Sequence, residues 1–409
     1  MLPPMFWNDL REVLLIKLQQ QQQEQQQMTT IGLSYNVWMN MFPMPSSLPF
    51  TDLTITFSYD RRSNINRHSL PETLTSLTIE GYFDGTLEEG TLPDGLRHLS
   101  IKTSDWNNPI THGILPSKLE TLQLGRSYDH PLNDLECSNS VTRVSLGESF
   151  NKIIPFESSL EYLSLDAPSP LFNIDQPYSM LKSLILTAVY TKVLCRIKSK
   201  TFPSLTQLHV HSFLDDYRID HLPQGTLPIS LEDLMIVINR PFVLPIGLKK
   251  LHLTLRPDMH NNGCLRLPNS ITSLSIEGSF AMNFLRSVVP LPASLTHLSY
   301  LESVVIDYMI LPPTIRSLTI RGQALNPMPP PMSIVYLEIV IPNKSYKMYR
   351  LTFDQFIVRI TGDLKQCGFT TYNSILSRID RYLGNRIQQN DPIEENPPRS
   401  SSRKKCIIS

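Results

Sequence analysis

Glycine is scarce in this 409-residue chain, at 16 residues, and aromatic side chains make up only 8%. A glycine shortage argues against a fold organised around Gly-rich cofactor loops. Cysteine is scarcer still: Cys137, Cys195, Cys264, Cys367 and Cys406 are odd in number and widely spaced. They offer neither a disulfide framework nor a Cys-x-x-Cys metal site, and they imply a reducing, cytosolic compartment. Net charge is missing as well. The 37 Lys and Arg balance 37 Asp and Glu, so the broad basic footprint of a nucleic-acid binder is lacking. A mean hydropathy of -0.13, with no long apolar run, excludes a multi-span membrane protein. No phosphate-binding glycine loop, His-Glu-x-x-His or EF-hand pattern occurs, so neither an enzyme nor a cofactor is expected.

Proline is abundant instead, at 33 residues, and its placement is periodic. The unit Leu-Pro-x-x-Leu-x-x-Leu-x-Leu/Ile recurs at Leu70 to Ile79, Leu92 to Ile101, Leu115 to Leu124 and Leu227 to Ile236. It returns at Leu244 to Leu253, Leu267 to Ile276, Leu291 to Tyr300 and Leu311 to Ile320. Degenerate copies centre on Val141, Leu160, Leu181, Leu205 and Ile334. Twelve steps carry the fifth position of the unit from residue 74 to residue 334, a mean of close to 22 residues. That period lies in the range of leucine-rich repeats, in which each unit supplies one short parallel strand. Leu77 and Ile79 share a strand face, Leu74 enters from the preceding turn, and proline suits a turn just outside the ladder. Four or five buried side chains cannot offset the entropy of ordering 22 residues, so a repeat stands only when stacked on neighbours.

A second, looser signature follows the strand: Phe83-Asp84, Trp106-Asn107-Asn108-Pro109-Ile110, Tyr128-Asp129-His130-Pro131-Leu132, Phe150-Asn151 and Phe172-Asn173-Ile174. The aromatic can fill the coil interior, and Asn or Asp can accept from turn N–H groups. With these features the chain resembles the FNIP repeat family, which is related to leucine-rich repeats. Leu227-Pro228-Ile229-Ser230-Leu231 and Leu291-Pro292-Ala293-Ser294-Leu295 follow its Leu-Pro-x-Ser-Leu core closely. The copies from 181 to 253 carry no recognisable Phe-Asn turn. The resemblance implies an interaction scaffold. Some members carry an F-box that recruits ubiquitin ligase components, and residues 1–46 show none.

The expected fold is a mainly β solenoid: a leucine-rich-repeat-like curved coil with one parallel sheet, ~22-residue repeats and short helical caps. Its outward central row reads Thr78, Ser100, Gln123, Ser145, Ser164, Ile185, His209, Met235, His252, Ser275, Ser299, Thr319 and Glu338. This neutral, hydroxyl-rich surface shows no Ser-His-Asp grouping and suits an unknown protein partner. His209 and His211 share a face, but His252 two strands on would lie about 10 Å away, too far for one zinc ion.

Four segments follow. Residues 1–46 read as an amphipathic helix (Phe6, Trp7, Leu10, Val13, Leu14 and Leu18), a glutamine tract and a cap; residues 47–341 are the array of about 13 repeats. Residues 342–388 form a second cap. Its expected strands are Tyr349–Phe353 and Phe356–Ile360, and Tyr372 to Ile387 is a basic amphipathic helix with a possible calmodulin-target role. Residues 389–409 form a disordered tether ending Arg403-Lys404-Lys405-Cys406-Ile407-Ile408-Ser409. This is a Cys-aliphatic-aliphatic-X box whose serine points to farnesyl on Cys406. Similarity to such proteins implies a prenyltransferase partner, removal of Ile407 to Ser409, and methylation. Arg399, Arg403, Lys404 and Lys405 would add attraction to an anionic membrane. The functional expectation is a non-enzymatic scaffold, peripheral on the cytosolic face of a membrane, the plasma membrane favoured. The alternative is a soluble adaptor that binds calmodulin or a ubiquitin ligase component through a terminal helix.

Overall fold

The computed structural model describes residues 51–388 apart from 58–64, 68, 133–136, 138, 169, 173–175, 214–226, 239–241, 256–264, 279–280, 289, 303–304 and 362–365. It adds the backbone of 32–37; of residues 191, 282, 324, 361, 366, 367 and 384–388 the backbone alone is described. The chain forms two compact units, the first essentially residues 1–231 and the second essentially 232–409.

The first unit is a parallel ladder with one strand per repeat. Its strands are β1 (Gly32–Val37), β2 (Asp52–Phe57), β3 (Ser76–Gly81), β4 (His98–Ile101), β5 (Thr121–Leu124) and β6 (Arg143–Leu146). After β7 (Ile153–Ile154) come β8 (Tyr162–Leu165), β9 (Leu171–Phe172), β10 (Ser183–Val189) and β11 (Gln207–Phe213). Each main strand pairs in parallel with the next, position for position: Leu53 lies opposite Leu77, Leu77 opposite Leu99, and Leu99 opposite Leu122. β7 and β9 form a separate two-stranded parallel pair. The ladder begins earlier than residue 47, since β1 pairs with β2. Leu33, Tyr35 and Val37 alternate as a strand should, but no Leu-Pro precedes them to mark a repeat.

Strand leucines and turn leucines both point inward. Leu74, Leu96, Leu119, Val141, Leu160, Leu181 and Leu205 are all fully buried, as are Leu99 and Leu122. The proline opens a tight turn in which its own carbonyl accepts from the marker residue: Leu74 N–H to Pro71 O at 3.2 Å, Leu96 to Pro93 at 3.0 Å. Its missing N–H is therefore no loss. Serine in the Leu-Pro-x-Ser-Leu core has a role that spacing alone did not suggest. Its hydroxyl donates to the marker carbonyl one repeat earlier, as Ser230 to Leu205 (2.7 Å) and Ser294 to Ile271 (2.6 Å), and Ser140 of a degenerate copy does the same to Leu119 (2.7 Å).

Behind the strands the aromatics fill the coil interior, as expected, and they also contact one another from repeat to repeat. Ring centroids are separated by 4.9 Å (Phe57–Phe83), 6.4 Å (Phe83–Trp106), 5.6 Å (Trp106–Tyr128) and 6.4 Å (Tyr128–Phe150). The polar partners in the same turns also chain together. Asn107 Oδ1 accepts from the Asp129 N–H (2.9 Å), and Asp129 Oδ1 accepts from the Asn151 N–H (3.1 Å). Past β10, where no Phe-Asn turn exists, a 3-10 turn at Thr191–Arg196 buries Val193 and Leu194 instead.

The second unit continues the same logic with β12 (Asp233–Ile238), β13 (Lys250–Leu255), β14 (Ser273–Glu277), β15 (His297–Leu301), β16 (Ser317–Arg321) and β17 (Tyr336–Ile341). These are parallel and in register. A short helix α1 (Ala281–Ser287), with Phe284 and Leu285 buried, fills one coil interior. The periodicity then stops, and a cap follows: β18 (Lys344–Arg350), β19 (Gln355–Thr361), β20 (Gln366–Thr371) and helix α2 (Tyr372–Gln388). The cap strands are antiparallel, each joined to the one before, and β18 pairs back on β17.

Two expectations for this cap need correction. It has three strands rather than two, and the first runs Lys344–Arg350 rather than Tyr349–Phe353. Ile341 lies opposite Lys344, so Pro342-Asn343 is a two-residue hairpin loop, with Asn343 at φ 64°. That tight turn begins the strand five residues early and leaves 351–354 as the next bend. The helix lies where the sequence places it, with Tyr372, Ile375 and Ile379 fully buried and Arg378 and Arg381 exposed.

Candidate interaction surface

The residues between the inward leucines form continuous outward rows. In the first unit Thr78, Ser100, Gln123, Ser145, Ser164, Ile185 and His209 lie directly opposite one another on successive strands. In the second unit Met235, His252, Ser275, Ser299, Thr319 and Glu338 do the same. All are half-buried, as expected of side chains that stand close together on a sheet.

Side chains of the outward face also bond across repeats. Ser100 donates to Gln123 Oε1 at 2.7 Å, and Ser183 donates to Gln207 Oε1 at 2.7 Å. Thr187 donates to Asp166 at 2.5 Å, and His98 Nδ1 lies 3.1 Å from Thr121 Oγ1. The Arg143 guanidinium sits 4.5 Å over the Tyr162 ring. Oppositely charged neighbours run along the strand margins: Arg97 with Glu120, Lys182 with Glu161 (3.1 Å), Lys249 with Glu232 (2.7 Å). Such exposed pairs contribute little stability singly, about 0–1 kcal/mol. Their effect is to set the pattern of charge that a partner meets.

Near the ends of β4 to β10 the face opens into a cavity of about 500 Å³. Lys102, Arg126, Glu148, Asp166 and Thr187 line it with Gly125 and Gly147, and Arg126 pairs with Glu148 at 2.5 Å. Both glycines are required by close backbone approach. A Cβ on Gly125 would lie 2.0 Å from Thr103 O, and one on Gly147 2.4 Å from Gly125 O. Sequence reasoning did not single out these two residues; their shared place after the strand leucine was the available signal.

His209 and His211 do share a face, with ring centroids 6.4 Å apart, whereas His252 belongs to the second unit. Among the described residues no group of three His, Cys, Asp or Glu could hold a metal ion. Several tyrosine hydroxyls are raised by burial, among them the half-buried Tyr336 on the outward face, which also donates to Glu338 at 3.1 Å. Burial pushes Tyr128 up to about 12, an effect that the backbone of Ile110 offsets only in part. Burial also raises Tyr300, whose hydroxyl donates to the buried Glu302 at 2.9 Å, and Tyr372, which donates to Asn326 O at 2.8 Å. Tyr128, Tyr300 and Tyr372 are fully buried, on the inward side or under the cap. Cys406, Arg399, Arg403, Lys404 and Lys405, the expected lipidation and membrane residues, lie outside the described residues.

Residues 106–135 match the FNIP Repeat family; they run from Trp106 through β5 and the Tyr128-Asp129 turn. No curated protein matches the chain. Among solved structures it is similar to CroV588, described as a novel circular LRR protein structure, with a TM-score of 0.52 and 23% identity. The likeness covers 74% of this chain and 48% of that one, so the chain spans about half the length of the structure it matches. The strand register and these likenesses together make the chain a leucine-rich-repeat-like β-solenoid that carries an FNIP repeat at residues 106–135.

Proposed function

We propose that the chain is a non-enzymatic scaffold whose outward strand face binds a protein partner and whose end is tethered to the cytosolic face of a membrane. The observation that carries the scaffold reading is the cross-repeat bonding of the outward face, in which Ser100 directs its hydroxyl at Gln123 and Ser183 directs its own at Gln207. A nucleophile needs its hydroxyl directed at a base that a third group orients; the Ser100 and Ser183 hydroxyls are directed at amides. A pre-ordered polar face with mixed charge suits protein recognition, because little side-chain freedom is left to lose on binding. A photo-crosslinking side chain at Gln123 should give a discrete protein adduct in cells, and one at the exposed Lys118 should not. Equal labelling from both sites would contradict the assignment of the face.

The tether rests on Cys406, in the box Cys406-Ile407-Ile408-Ser409, with farnesyl as the lipid. One lipid chain alone binds marginally, about 10⁴ M⁻¹ for a myristoyl chain, so a second signal is needed. Arg399, Arg403, Lys404 and Lys405 provide the second signal, at ~1 kcal/mol each near an anionic leaflet. The plasma membrane is the favoured site. Intact-mass measurement of the C-terminal peptide from cells, with fractionation of Cys406→Ser, tests this part separately. A wild-type peptide that keeps Ile407 to Ser409 and a free thiol would refute the tether. A calmodulin-target role for α2 is disfavoured, because Tyr372, Ile375 and Ile379 on its apolar side are already buried.

A further inference from the structure

The chain is neutral only as a whole. Residues 342–388 hold eight Lys and Arg against three Asp and Glu, net +5, while residues 1–341 hold 25 against 31, net -6. The cap is therefore a basic body attached to an acidic array. It is also where large apolar side chains are exposed. Tyr336, Tyr349, Ile357 and Phe369 lie directly opposite one another across β17 to β20, forming one row on one sheet face. Phe369 is 75% exposed and Tyr349 52%; in the bend after β18, Phe353 is 59% exposed and Leu351 50%. Two residues along the same face, Lys347 lies opposite Arg359. The carboxylate facing them, Glu338, reaches Lys347 at 3.8 Å. The opposite sheet face is filled by Tyr346, Met348, Phe356 and Val358, all buried.

We infer that this outward face of the cap sheet is a docking surface for an anionic lipid bilayer. A single exposed apolar residue needs no explanation, but a contiguous row of them does. Aromatic rings with cations at their margin are what a headgroup region accommodates: rings seat at the interface, and Lys and Arg meet anionic lipid. A second copy of the chain is disfavoured as occupant, because a self-complementary contact would set Lys347 and Arg359 against like charges on an identical face. The surface is independent of the tail and stands whether or not Cys406 carries a lipid.

The test therefore uses full-length Cys406→Ser, which cannot be prenylated, with vesicles of phosphatidylcholine alone and with added phosphatidylserine. The protein should float with the phosphatidylserine vesicles and release as salt rises. Phe353→Ser with Phe369→Ser should weaken that binding about ten-fold or more. Arg359→Glu should weaken it about five-fold on phosphatidylserine vesicles and leave phosphatidylcholine unaffected. Where the double variant folds poorly, Tyr349→Trp gives a second readout, since its emission should be quenched by headgroup-labelled lipid. Absence of flotation, flotation unchanged in the variants, or a dimer in solution that these same substitutions dissociate would each overturn the proposal. None of these outcomes touches the mass test of Cys406, so the two claims fail separately.

Discussion

Within β3 to β6 each repeat is closed by the next one, whereas the last repeat, ending in β17, is closed by an arginine. In the array, the marker carbonyl of Leu119 accepts from the Ser140 hydroxyl, and Glu120 O accepts from two successive amides of the following repeat, Thr142 and Arg143. At the cap, the Arg350 N–H donates to Val335 O at 2.9 Å, and Arg350 Nε donates to Ile334 O at 2.8 Å. One residue thus replaces the backbone donor and the serine hydroxyl of a repeat that does not follow. The same guanidinium reaches Pro330 O (2.7 Å) and Phe353 O (2.6 Å), and it lies 4.8 Å over the Phe356 ring. The difference shows that stacking leaves a fixed set of unmet acceptors at its end, and that a cap succeeds by meeting them.

Substitutions can break this comparison, starting with the interior. Leu122→Asp places a charge where the native side chain is fully buried, and should cost on the order of 5 kcal/mol or more by denaturant unfolding. Thr78→Asp, on the half-buried outward row, should stay within about 0.5 kcal/mol. Trp106→Ala removes the middle of the aromatic stack together with the indole N–H that donates to Gly85 O at 2.8 Å. It should cost about 4 kcal/mol. Arg350→Ala leaves the cap acceptors unmet and should cost about 2–3 kcal/mol; Arg350→Lys should recover little of it, because an ammonium cannot replace the planar fork. Ser294→Ala removes one inter-repeat bond, to Ile271 O at 2.6 Å, and should cost about 1 kcal/mol.

The smallest effect at neutral pH is that of Tyr128→Phe, and its signature is pH dependence. Folded Tyr128 keeps its proton up to about pH 12, whereas the unfolded chain releases it near 10. The unfolded state binds fewer protons across that window, so stability falls as pH rises through it. Tyr128→Phe should flatten part of that slope in equilibrium unfolding. An unchanged slope would place the hydroxyl in water.

The parts legible in the sequence were the repeated ones. Leu77, Leu99 and Leu122 recur at one spacing, so a single period fixes strand, inward face and outward row together. Three features were not legible, each for a physical reason. β1 lacks a Leu-Pro turn, so nothing separates it from any alternating stretch. The strand β18 is set by the Asn343 backbone at φ 64°, a conformation that Asn tolerates but does not announce. Arg350 occurs once, and a residue that terminates a pattern cannot be found by searching for the pattern. On the outward face the row residues were read correctly. The cavity at Gly125 and Gly147 was missed because it depends on backbone approach between repeats.

The central claim is that successive residues of each strand alternate between coil interior and outward face. Cysteine placed singly at Thr121, Leu122, Gln123 and Leu124, in a background without the native cysteines, tests it under native conditions. The account predicts rapid modification by a small thiol reagent at positions 121 and 123, and protection at 122 and 124, where the native leucines are buried. Equal reactivity at all four positions, or protection that recurs with a helical period, would contradict it.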